Sequence, residues 1–112
     1  MNPVNLCRQL VLEHAVLNPD GAGGFDRSWQ ALGTLWAEVK ASSGRTPSGD
    51  LGPLSKVNYR ITVRSAPYGA PSRPQSDQRF RDGTRIFLIN AVAESDAHGG
   101  YLTCYAQEEV AS

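Results

Sequence analysis

The chain has 112 residues, of which 40% are hydrophobic and 20% charged, and its eleven lysines and arginines are balanced by eleven acids. That size fits a single domain, 1–112, with a modest core, and the composition excludes an intrinsically disordered chain. No run approaches the roughly 18 to 20 apolar residues of a membrane-spanning helix, so no membrane partner is expected. The N-terminal stretch has Arg8 as its only early base and is interrupted by Glu13 and His14. It does not read as a signal peptide, and a cytosolic origin is the expectation.

"RQLVLEHAVL" (8–17) comes first. Leu10, Leu12, His14 and Val16 alternate as in a strand, while Leu6, Leu10, His14 and Leu17 also fit a helical face. The dense turn signal "NPDGAGG" that follows favours a hairpin strand. "FDRSW" then leads through "QALG" into "TLWAEVK", where Leu35, Ala37 and Val39 alternate with Trp36, Glu38 and Lys40 as in a half-buried strand. Sixteen residues, "ASSGRTPSGDLGPLSK" (41–56), show no apolar periodicity and form a long loop. "VNYRITVR" returns to strict alternation, with Val57, Tyr59, Ile61 and Val63 on one face and Asn58, Arg60, Thr62 and Arg64 on the other.

"SAPYGAPSRPQSD" carries three prolines and cannot be a central strand. "QRFR" meets Asp82-Gly83, which predicts a two-residue hairpin turn. "TRIFLINAVA" is apolar on both faces, as a strand covered on both sides must be. After the turn "ESDAHGG", "YLTCYAQEEV" supplies a last strand. About six strands and no convincing long helix predict an all-β fold, an antiparallel barrel or a compact sandwich, since closure removes exposed edges.

Charge is unevenly spread. Nine bases and three acids give +6 between residues 40 and 85, and two bases and eight acids give −6 over the remainder. Such polarity suits nucleic-acid contact, or charge-complementary packing between subunits. Cys7 and Cys104 are the only cysteines, and a reducing compartment argues against their joining. With two isolated histidines they give no zinc-ligand spacing, so no metal and no cofactor are expected. His14 lies mid-strand with Glu13 on the opposite face, His98 is in a Gly-rich turn, no serine sits in a nucleophile elbow, and "GAGG" (21–24) lacks the lysine and following helix of a phosphate loop. No enzymatic centre is expected. Trp29 and Trp36 read as buried aromatics of a small core.

The order of these features resembles a known family. "LVLEHAV", "DGAGGF", "LWAEVKASSGR", "YRITVR", "DGTRIFLINAV" and "CYAQEEV" together look like the head-tail joining proteins of long-tailed phages and gene transfer agents, also called head-closure or stopper proteins. The resemblance runs from about Leu10 to Val110. It implies a small antiparallel β-barrel of about six strands with a long loop between strands 2 and 3, serving as a structural neck protein of a virion or phage-like particle assembled in the bacterial cytoplasm. Its copies would form a ring, a hexamer with a dodecamer as the alternative, between the portal or adaptor side of the head and the tail terminator or tail tube.

The resemblance also implies that the loop 41–56 projects toward packaged double-stranded DNA in the channel or clasps a neighbour, through Arg45, Asp50, Leu51, Leu54 and Lys56. A basic contact surface of Arg60, Arg64, Arg73, Arg79 and Arg81 is the second expectation. The loop departs from many relatives, whose connection after S-G-R is longer and more helical, which points to a flexible arm rather than a compact gate. The alternative is a small β-barrel nucleic-acid-binding module using Tyr59, Arg60 and Arg64.

Overall fold

In the computed structural model, residues 4–42, 54–94 and 99–111 are described. They form β1 (Arg8–Pro19), β2 (Phe25–Ala41), β3 (Leu54–Arg64), β4 (Arg79–Asp82), β5 (Arg85–Glu94) and β6 (Tyr101–Ala111). Every pairing is antiparallel, and the order β1-β2-β3-β6-β5-β4 closes where β4 meets β1. The expected small antiparallel barrel of six strands is the fold.

Alternation decides what fills it. Leu10 and Leu12 of β1, Ala37 of β2, Ile61 and Val63 of β3, Phe80 of β4, Phe87 and Ile89 of β5, and Leu102, Cys104 and Ala106 of β6 point inward and form one cluster. Burial of each large member contributes about 1.5–3 kcal/mol. The strand 57–64 behaves as its pattern requires, with Ile61 and Val63 buried and Arg60 and Arg64 exposed. In β5 the inward residues are Phe87 and Ile89, whereas Leu88 faces outward and is exposed.

The same inward parity continues past the apolar core into a polar layer at one end of the barrel. Arg85 donates from Nε to Glu108 Oε2 at 2.8 Å and from Nη2 to Oε1 at 2.9 Å, and also reaches Tyr59 Oη at 3.2 Å. Tyr59 packs edge-on against Phe87, and Arg8 pairs with Asp82 in the same layer. The hydrogen bonds from Arg85 hold the Glu108 carboxyl below its ordinary value against the opposing effect of burial. The interior is therefore a packed core with an ionic lid, not a ligand cavity.

Two turns differ from expectation in detail. Asp82 pairs with Arg85, so the residues at the β4–β5 turn are Gly83 and Thr84, one position later than the Asp82-Gly83 pair. Gly83 has φ +63° and Thr84 is not among the positive-φ residues, the pattern of a turn with glycine at its first central position. The β2–β3 connection is also shorter than the sixteen residues expected, because Ala41 ends β2 and Leu54 opens β3.

The first hairpin is longer than the barrel. β1 and β2 pair continuously from Arg8↔Ala37 to Pro19↔Phe25. β4 joins β1 only at residues 11–13, and β3 joins β2 only at 37–41. Residues 14–19 and 25–31 therefore leave the barrel as a two-stranded arm about 20 Å long, at 3.3–3.4 Å per residue. A register shift next to Leu12 and Glu13 marks the base of the arm. It leaves Leu32 without a partner and packs it against the core, which breaks the alternation in "QALG".

Candidate functional site

Three outward features carry side chains that the core does not account for: the arm, the seam at its base, and the wall made by β2, β3 and β6.

The arm has two chemically different faces, because residues paired across a ribbon project to the same side. Ala15, Leu17 and Pro19 with Phe25, Arg27 and Trp29 share one face, and Leu17 and Phe25 are 64% and 66% exposed. The other face is polar apart from Val16 and knitted across the strands: His14 Nε2 lies 3.1 Å from Gln30 Oε1, and Asn18 Nδ2 donates to Ser28 Oγ at 3.0 Å. Asp20 Oδ1 fastens the tip by accepting from the Ala22 and Gly24 amides at 2.8 and 3.0 Å, which lowers its pKa.

At the base, Glu13 is 5% exposed on the outer side of the barrel, opposite the inward pair Leu12 and Phe80. Arg79 and Arg81 of β4 donate to its two oxygens at 2.7 and 2.8 Å. Burial pushes the carboxyl up, but the hydrogen bonds and charges of Arg81 and Arg79 outweigh it, and its pKa lies below the ordinary value. Arg79 also lies 4.1 Å from the centre of the Trp29 ring, with Arg27 5.3 Å from the same ring. Contrary to expectation, then, Trp29 is not core: it is a partly exposed ring stacked by two guanidinium groups.

The wall is a grid fixed by register. Lys40 stands beside Arg60, which stands beside Tyr105; Glu38, Thr62 and Thr103 form the next row; beyond the last β2–β3 pair, Arg64 stands beside Tyr101, and Trp36 lines a shallow pocket with Arg64. A shallow groove crosses it, lined by Glu38, Lys40, Arg60, Thr62, Thr103 and Tyr105. Trp36 is 53% exposed on this wall, so the second tryptophan also lies outside the core, and Tyr105 is 45% exposed. Glu38 accepts from the Asn5 amide at 2.9 Å and lies 3.6 Å from Lys40.

The arginines expected to form one basic surface are dispersed. Arg79 and Arg81 are committed to Glu13. Arg73 donates to the Ala66 carbonyl at 2.7 Å and covers the Tyr68 ring at 3.9 Å. Arg60 and Arg64 share the wall, with Lys40 beside them. Tyr59, grouped with them in the alternative reading, points inward to Phe87 and Arg85 and offers no stacking surface there. Of the loop residues, Leu54 pairs with Ala111 and Lys56 is exposed opposite Glu109, while Arg45, Asp50 and Leu51 lie outside the described residues. The arm, the seam and Trp36 were not visible as sites in the sequence, although "GAGG" did mark the hairpin tip.

Both buried carboxylates are held by arginine, both cysteines are free, and no group of three or more His, Cys, Asp or Glu side chains with metal-holding geometry occurs among the described residues. A closed barrel with a filled interior and an arm carrying exposed Leu17 and Phe25 offers outer surfaces rather than an interior cavity. The family described as phage head completion protein matches residues 1–109, and the chain belongs to that family. Over its full length it is 52% identical to a chain of the solved virion of a native gene transfer agent (GTA) particle, with 100% of each chain covered and a TM-score of 0.84. The solution structure of protein SF1141 from Shigella flexneri 2a shares the fold, with a TM-score of 0.68, 96% of each chain covered and 20% identity. No curated protein matches. The chain is thus a structural head–tail connector of phage-type particles.

Proposed function

We infer that copies of this chain form a ring at the particle neck, between the portal or adaptor side of the head and the tail terminator or tail tube. There they close the DNA channel and offer the tail its attachment surface. The observation that carries this reading is the full-length, 52% identical match to a chain built into a GTA virion. The barrel supports it physically. An arm that leaves one side of each copy and outward walls on the others are different patches, and contacts between unlike patches generate rings when the rotation closes. A two-stranded ribbon is at best marginally stable alone in water, so an arm of this length gains from resting on a neighbour. A hexamer is the expected ring.

The connection between β2 and β3, with the start of β3, is the element assigned to the channel or to a neighbouring copy, with Arg45, Asp50 and Lys56 as polar contacts and Leu51 and Leu54 as apolar anchors. Replacing residues 43–53 by a short Gly-Ser turn tests this. Loop length changes closure entropy by only about 0.6 kcal/mol per doubling, so the melting temperature should hold. The yield of DNA-filled, tailed, infectious or transducing particles should fall at least tenfold. Normal melting with normal particle yield would overturn the assignment.

A further inference from the structure

We propose that the outer wall of β2, β3 and β6 is a second DNA contact, separate from the β2–β3 connection, that holds the phosphate backbone of duplex DNA without reading its sequence. This deepens the neck reading by giving the barrel itself a ligand.

The first observation is the contrast among arginines. Arg8, Arg79, Arg81 and Arg85 each pair with a carboxylate. Arg27 and Arg73 lie on aromatic rings. Arg60 and Arg64 have neither kind of partner among the described residues, yet they are exposed on one wall with Lys40. A chain of zero net charge has used its other described arginines internally and left these two facing out.

The second observation is the chemistry of the grid. Of its nine side chains, eight are hydrogen-bond donors: Lys40, Arg60, Arg64, Thr62, Thr103, Tyr101, Tyr105 and Trp36. The exception, Glu38, accepts from the Asn5 amide and lies 3.6 Å from Lys40, which leaves Arg60 and Arg64 as the wall's unpaired cations among the described residues. Four of the eight donors are donor-only, Lys40, Arg60, Arg64 and Trp36, and the four hydroxyls can turn their protons outward, so all eight can donate to an acceptor-only ligand. Phosphate oxygens are contacted by these residue types in protein–DNA interfaces.

The third is spacing. Arg60 and Arg64 lie four residues apart on β3, about 13–14 Å along the strand. The major groove of B-DNA is about 12 Å wide, so the two cationic rows reach the two backbones flanking one groove. The wall is a shallow surface rather than a cleft, so it has no element to insert among base edges. That makes it a backbone reader.

The test uses the purified full-length chain and a labelled duplex of roughly 30 base pairs and mixed sequence, followed by fluorescence anisotropy across a salt series. With the two unpaired cations Arg60 and Arg64 engaged, log K against log salt should fall with a slope of about −1.8, from 0.9 per phosphate contact, independent of sequence. The Arg60→Gln/Arg64→Gln double variant should bind at least tenfold more weakly at low salt, with a slope reduced by about 1.8. Its melting temperature should match the parent. Arg27→Gln, on the arm, should bind like the parent. Absence of salt-dependent binding by the parent, or an unchanged slope in the double variant, would overturn the proposal. A double variant that keeps DNA affinity but loses tailed particles would show the wall to be a protein contact, which overturns the DNA site and leaves the connector reading standing. Normal tailed particles in a strain lacking the chain altogether would instead remove the connector reading, whatever the anisotropy shows.

Discussion

Glu13 offers a quantitative test of how the barrel is fastened. In Glu13→Gln the side chain keeps its size but loses its charge, and it retains one oxygen for the two Nε donors of Arg79 and Arg81. A hydrogen bond to a charged group contributes about 1.5–3 kcal/mol. The low end applies here, because the Arg79 and Arg81 side chains are 20% and 39% exposed and can recover hydration. Two such bonds give about 3 kcal/mol, and the remaining neutral acceptor returns about 1 kcal/mol. The expected loss is about 2 kcal/mol, or about 8 °C in melting temperature for a domain of this size.

The pH dependence has a definite sign. The folded-state pKa of Glu13 is depressed, so its contribution is fully present above the unfolded carboxylate value near about 4.3 and is lost as pH falls through the folded value. Parent and variant should differ by about 8 °C at pH 7, and the gap should narrow steadily below about pH 4. Glu108 titrates in the same direction, but it is common to both chains and cancels in the difference. Thermal melts followed by circular dichroism between neutral and acid pH measure this. A gap that is absent at neutral pH, or that persists unchanged into acid, would refute the clamp.

Two further outcomes are expected of the isolated chain. Gly83→Val should cost about 1–2 kcal/mol from backbone strain alone, since a Cβ there meets nothing within 4 Å; an unchanged melting temperature would refute the turn assignment. A maleimide at neutral pH should modify Cys7 and spare Cys104, whose thiol is buried and pushed up to about 12, so native protein should take one label and denatured protein two. Two labels at equal rates on native protein would contradict that core position.

Strand identity was legible wherever one face is buried and the other wet. Val57 to Arg64 announced β3 because Ile61 and Val63 enter the core while Arg60 and Arg64 do not. "FDRSWQALG" hid the first half of β2 for the opposite reason: the arm packs on no core, and the bulge at Leu32 breaks the period of two. Trp29 and Trp36 were misplaced inside because hydrophobicity reports a preference for burial, not the presence of a neighbour to be buried against. The opposition between a basic middle and acidic ends was real in the sequence, but part of it is satisfied within the chain. Arg79 and Arg81 meet Glu13, and Arg85 meets Glu108, through contacts 66, 68 and 23 residues apart. Separations of that size become neighbours only once the barrel closes, which no local pattern encodes.

The unequal lengths of the ladders also set how the barrel carries load. β1 and β2 share a continuous ladder from Arg8 to Pro19, and β3 and β6 one from Leu54 to Arg64, whereas β4 holds β1 only at Val11, Leu12 and Glu13. A pull that shears the long ladders must strain many hydrogen bonds together, while one that peels β4 from β1 meets three residue pairs in succession. Under tension the short seam is the part that yields first. Leu12 against Phe80 within and Glu13 between two arginines without act as rivets through the wall at that weakest line.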